Sequence, residues 1–166
     1  ESLYSINFKK AITVKTVDAN KIAKGYGSVF KPTTEFAERV IGYAKRSRGK
    51  LSLLVENGSP RLATIATMAH ELTHIWQYIN WNDREIAKHY PEKYQQDMVY
   101  EGMAMWVEIQ YLYLIGETSY ARKQEIITQN RNDIYGKGFN MFCEKYPLIR
   151  ETSLVKYTPF SQFPPI

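Results

Sequence analysis

The sequence of 166 residues contains one cysteine, Cys143, and only three histidines. A single thiol excludes an intrachain disulfide, a cysteine-built zinc finger and a dithiol redox pair. It also leans, weakly, toward a reducing compartment such as the cytoplasm. Long hydrophobic runs are absent as well. Apolar stretches such as residues 103–107 fall far short of the roughly 20 residues a bilayer demands, so no membrane span is expected. Internal repeats, low-complexity tracts and a visible secretory signal are missing too. The chain starts at Glu1 without an initiator methionine, so both a fragment of a longer protein and a processed form stay open.

The net charge is +5, and the densest basic run holds Lys45, Arg46, Arg48 and Lys50. Pro32, Thr33 and Thr34 suit the opening of an amphipathic helix running to about residue 48, with Gly49 behind it. On that reading the basic run is a solvated last helical turn. No recognition motif accompanies it, and no nucleic-acid partner is expected.

What the chain has in quantity is tyrosine, with thirteen copies. Buried phenols need partners for their hydroxyls, which points to a core with polar edges or a cleft lined by phenols. Alternation predicts strands over residues 11–17 and 51–56, the second closed by the turn pair Asn57-Gly58. Ser59 as cap and Pro60 at the first helical position predict a helix over 60–78, carrying the small residues Ala63, Ala66 and Ala69. Residues 80–94 read as a polar connection. Asp97 then introduces a second long helix, 98–115, apolar on nearly every face and therefore buried, with Gly116 at its end. Helical pattern returns over 119–131 and 139–146, and Pro159, Pro164 and Pro165 mark an extended tail laid across the body. The expected architecture is α+β, one domain over 1–166, with a small sheet beside a mainly helical body.

The chemistry is concentrated in His70-Glu71-Leu72-Thr73-His74. Residues four apart lie on one helical face, so both imidazoles can reach one ion. Zinc takes nitrogen ligands readily, and a catalytic site leaves one coordination position for water. Glu71 is offset around the helix, beside that water, where its carboxylate can act as general base in peptide-bond hydrolysis. Five-residue patterns do arise by chance, but here two of the three histidines fall in one, on a well-signalled helix. His89 lies in the polar connection and reads as solvated rather than as a ligand.

A third ligand is needed. Glu101 is preferred, because a carboxylate on an apolar helix is costly to bury unless paired or metal-bound. Gly102 would let that helix pack closely on the motif helix. Glu108, two turns on, is the rival, or a group orienting a histidine from behind; its bland reading is an ion pair or a solvated position. Tyr135, in a glycine-flanked segment, is a candidate to stabilise the oxyanion, though a packing tyrosine explains it equally well. Strand 51–56 could pair with an extended peptide if it is an edge, or could be an ordinary covered strand.

These residues also carry a family resemblance. Leu53-Leu54-Val55-Glu56-Asn57-Gly58-Ser59-Pro60-Arg61-Leu62, leading into Ala69-His70-Glu71-Leu72-Thr73-His74-Ile75-Trp76, resembles the peptidase domain of the plant "DA-one" organ-size regulators. So do Glu101-Gly102-Met103, Tyr135-Gly136-Lys137-Gly138-Phe139 and Phe163-Pro164, in the family's order from about residue 50 onward. The resemblance implies a zinc metallopeptidase of the gluzincin type. It assigns His70, His74 and Glu101 to the metal and Glu71 to catalysis, with protein or peptide substrates. The plant proteins carry ubiquitin-interacting segments and LIM modules that this chain lacks, so ubiquitin regulation is not implied. Residues 1–50 carry no such match. The alternative expectation is a zinc-bearing binding or regulatory module with little turnover, its cleft blocked by the proline-rich tail.

Overall fold

The computed structural model describes residues 4, 6–25, 41–47, 49–152, 157–161 and 163–166. In chain order it contains β1 (Ile12–Val17), α1 (Ala19–Gly25), β2 (Gly42–Ser47), β3 (Lys50–Glu56), α2 (Arg61–Asn80), α3 (Asp83–His89), α4 (Lys93–Leu114), α5 (Thr118–Gln129), α6 (Ile134–Lys145) and a 3-10 turn, Pro159–Ser161. The class is α+β: the described residues form six helices and one small sheet.

The sheet order is β1-β3-β2, with β1 parallel and β2 antiparallel to β3. Alternate residues Leu51, Leu53 and Val55 of β3 are buried, as period-2 patterning requires. They meet Ile75, Met68 and Leu72 of α2, so the motif helix lies directly against the sheet. On the helical side, α4 is buried nearly all round, and its Met103, Trp106, Ile109 and Leu112 join Phe139 and Phe142 of α6 in the larger core.

Several expected boundaries move. Residues 42–47 are strand β2, not the end of a helix; residues 34–40 of that expected helix lie outside the described residues. The basic run belongs to the β2–β3 hairpin, where Gly49 adopts φ 77°. Local helix signals lost to pairing with β3, which runs in register from Gly42 opposite Val55 to Ser47 opposite Lys50. Pro60, not Ser59, is the residue before the first turn of α2, and the Ser59 hydroxyl is buried without a hydrogen-bond partner among the described residues. The "polar connection" contains α3, capped by Asn82, whose side chain accepts from the Arg84 N–H at 2.9 Å. Asp97 lies inside α4, which starts earlier, at a capping box of Glu92 and Gln95.

α6 starts earlier than the expected residue 139, so Tyr135 sits in its first turn, where the Asp133 carboxylate accepts from the N–H groups of Tyr135 and Gly136. The glycines around it serve packing. Gly102 faces α6, not α2: a Cβ on Gly102 would stand 2.6 Å from Gly138 Cα. The tail does lie across the body. Phe160 packs on Trp76 and Tyr4, Phe163 on Trp81, and the hydroxyls of Tyr90 and Tyr146 donate to the carbonyls of Ile166 and Pro165. No described helix is long and apolar enough to cross a membrane.

Candidate metal centre

α2 and α4 pack side by side, and this contact brings His70, His74 and Glu101 together. One helical turn separates the two histidines, and their Nε2 atoms stand 3.1 Å apart. Glu101 reaches in from α4, with Oε2 3.2 Å from His70 Nε2 and 3.4 Å from His74 Nε2. Ligands placed at about 2.0–2.1 Å on a tetrahedral zinc ion stand roughly 3.3–3.4 Å from one another. The three separations therefore fit three corners of such a tetrahedron. The donor set, two imidazoles and one carboxylate, suits zinc as well.

The back of each ring is also held. His70 Nδ1 lies 3.2 Å from Glu108 Oε2, and His74 Nδ1 lies 2.8 Å from Gln77 Oε1. Glu108 thus sits behind a histidine and does not join the ligand cluster. Gln77 was not singled out in the sequence, because a glutamine on a helix carries no signal until its neighbours are known.

The electrostatics ask for positive charge at this point. Burial alone would lower the His70 pKa, but the carboxylates of Glu101 and Glu108 outweigh it and raise the value to about 10. For Glu101 burial pushes upward, yet the two imidazoles hold its carboxyl well below the usual carboxylate range. The His70 proton supplies positive charge between these carboxylates.

Glu71, only 6 % exposed, leaves the face of the two histidines and turns toward the sheet. Its Oε2 accepts from the Ala44 backbone N–H at 2.7 Å. This close approach of β2 depends on Gly42, since a Cβ there would drive into the Thr67 methyl and press on Glu71. β3 is the central strand, paired on both sides, so the expectation that residues 51–56 could offer an edge is replaced by β2, which among the described residues pairs only with β3.

Two concavities flank the centre and share Glu71, His74 and Glu101 in their walls. One, of about 440 Å³, is lined further by Tyr43, Arg46, Tyr78 and Tyr100; the other, about 360 Å³, by Gly42, Thr67, Met105, Ile127 and Tyr135. Tyr135 therefore faces the site. Desolvation and then the Glu101 charge push its phenol up to about 12, so it is a hydrogen-bond donor at neutral pH. Tyr78, on the opposite side, has its pKa raised by burial and by Glu71 and Glu101; no motif or spacing in the sequence marks it. An apolar hollow behind α2, walled by Tyr4, Phe8, Ile65, Met68 and Phe160, carries none of these groups. His89 is exposed at the end of α3, against the Phe163 ring and apart from the centre.

Comparison with protein-family models, with curated proteins and with solved structures finds no match to this chain. The class α+β and a three-residue cluster able to hold a metal ion are what fold and site define.

Proposed function

We propose that this chain is a zinc-dependent metallopeptidase of the gluzincin type, akin to the plant family it resembles, with His70, His74 and Glu101 as ligands. One observation carries the reading: three donor atoms from two helices, all within 4.8 Å of one another, beside a buried carboxylate on the motif helix. Zinc bound there would acidify its water and polarise the scissile carbonyl. Glu71 takes the proton of the attacking water and returns it to the departing amine. The Ala44 N–H holds one carboxylate oxygen and orients the base. Tyr135 donates its O–H to the carbonyl oxygen as negative charge develops there. A peptide laid along β2 crosses from one concavity to the other over Glu71, which suits an extended internal segment and hence an endopeptidase.

Glu71→Gln tests this directly. The variant should bind zinc as the parent does and lose at least ~100-fold in peptide hydrolysis, the scale of a missing general base. Full turnover in that variant rules the mechanism out. The second reading, a zinc-bearing module without turnover, drew on a tail lying in the cleft. No described tail residue lines either concavity, so that support is absent. A peptide-library digest with and without the last ten residues separates the two: no cleavage in either form favours the binding module.

A further inference from the structure

The two histidines are oriented by different chemistry. Glu108 reaches His70 from α4, whereas His74 is met by Gln77 of its own helix, three residues on. Gln77 is 0 % exposed and uses both ends of its amide. Its Nε2 donates to the Tyr100 carbonyl at 3.0 Å, and its Oε1 stands 2.8 Å from His74 Nδ1.

We infer that Gln77 is a positioning residue: it selects the tautomer of His74 that frees Nε2 for the metal, and it ties that choice to the helix carrying Glu101. This role rests on the zinc-site reading and follows from the Tyr100 carbonyl. A carbonyl only accepts, so the NH₂ end of the amide must face Tyr100. The amide oxygen then faces the imidazole, and it too only accepts. Nδ1 of His74 must therefore carry a proton. A neutral imidazole carries one, which leaves the Nε2 lone pair pointing at the position where His70 and Glu101 converge.

The opposing pull comes from Glu101. Its Oε2 stands 3.4 Å from His74 Nε2 and would draw the proton onto the ligand atom. That tautomer cannot bind zinc through Nε2 without first losing the proton. Gln77 counters this with a shorter contact on the far side of the ring. Tyr100 immediately precedes Glu101, so the same amide also sets how closely the third ligand approaches the second. A carboxylate at position 77 would turn an acceptor against the Tyr100 carbonyl, and an apolar side chain would hold neither partner.

The test is ring nitrogen-15 NMR of metal-free protein above neutral pH, together with zinc affinity from chelator competition, for the parent, Gln77→Met and Gln77→Glu. Nδ1 of His74 should be protonated in the parent and in Gln77→Glu, which keeps an acceptor. In Gln77→Met, where Nδ1 has no acceptor, the two tautomers should mix, the shift to Nε2 being limited by His70 Nε2 at 3.1 Å. Zinc affinity should fall ~10–100-fold in Gln77→Met, the usual effect of losing a group behind a ligand. A residue that merely packs would lower the melting temperature and leave the tautomer unchanged. A bare Nδ1 in the parent overturns the inference without any variant, as does zinc affinity in Gln77→Met within twofold of the parent. Failure of the parent to bind zinc sinks the metallopeptidase reading instead, and the tautomer of the metal-free parent still decides the role of Gln77.

Discussion

In the proposed hydrolysis two phenols are candidates for the electrophile, and their surroundings separate them. Tyr135 shares a concavity with His70, Glu71 and Glu101, and the Arg131 guanidinium lies 4.7 Å from its ring centroid. Tyr78 stacks near His74, with centroids 6.5 Å apart, on the side lined by Arg46 and Tyr100. Tyr135→Phe is expected to lower kcat by ~100–1,000-fold, the scale of one lost oxyanion donor, with zinc content unchanged. Tyr78→Phe should cost under about tenfold on the same scale. Reversed magnitudes would move the role to Tyr78. At this scale the two histidines of the cluster were legible because spacing alone puts positions 70 and 74 on one face; positions 101 and 108 share a face as well, and spacing did not decide which of them joins the cluster. Gln77 and Tyr78 were not legible, since nothing on α2 itself reveals that the Tyr100 carbonyl lies opposite one and the cleft opposite the other.

Among the elements, the crossing of α4 and α6 bears on the centre although it touches no ligand. A Cβ on Gly138 would stand 2.8 Å from Gly102 Cα and closer still to the Met98 carbonyl oxygen. Those neighbours are backbone and cannot swing aside. Gly138→Ala is therefore expected to cost at least ~1–3 kcal/mol of stability, as overpacking does. Because Glu101 precedes Gly102 and Tyr135 lies one turn before Gly138, the same variant should also weaken zinc binding. Thermal unfolding and chelator competition read the two effects; an unchanged melting temperature would show that the helices can part freely. The sequence places Gly136 and Gly138 before a helix that begins near residue 139, and Gly102 against the motif helix. Both errors have one cause: a glycine marks a close approach, but not the partner approached. β2 was misread for a related reason, as its pairing with β3 is non-local and outweighs the helix-opening pattern before it.

For the molecule as a whole, stability and the candidate metal site are linked through protons. His70 sits at about 10 in the folded chain against roughly 6.5 unfolded. Its contribution is thus fully present below the unfolded value and is lost as pH rises through about 10. Glu101, depressed by the imidazoles, contributes above the ordinary carboxylate range and loses that contribution on acidification. Metal-free protein should therefore lose melting temperature between pH 7 and pH 10 relative to His70→Gln, while zinc-loaded protein should not, because the ion replaces the proton. A metal-free melting temperature that holds steady against that variant would contradict the coupling. Of the groups behind the net charge of +5, Arg46 from the basic run lines one of the two concavities, donates to the Tyr78 carbonyl and pairs with Asp83 at 3.7 Å.

The residues by themselves determined that two imidazoles and an acid lie on one helix, that a second helix, apolar on nearly every face, carries carboxylates it cannot bury alone, and that a small sheet accompanies them. Helical periodicity and burial cost are local quantities, readable one segment at a time. Tertiary packing decided the rest: which carboxylate reaches the imidazoles and which stands behind one of them, that β2 holds Glu71, and that Gln77 bridges α2 and α4. Each of these depends on where a group distant in the chain comes to lie, and no spacing along one helix contains that distance.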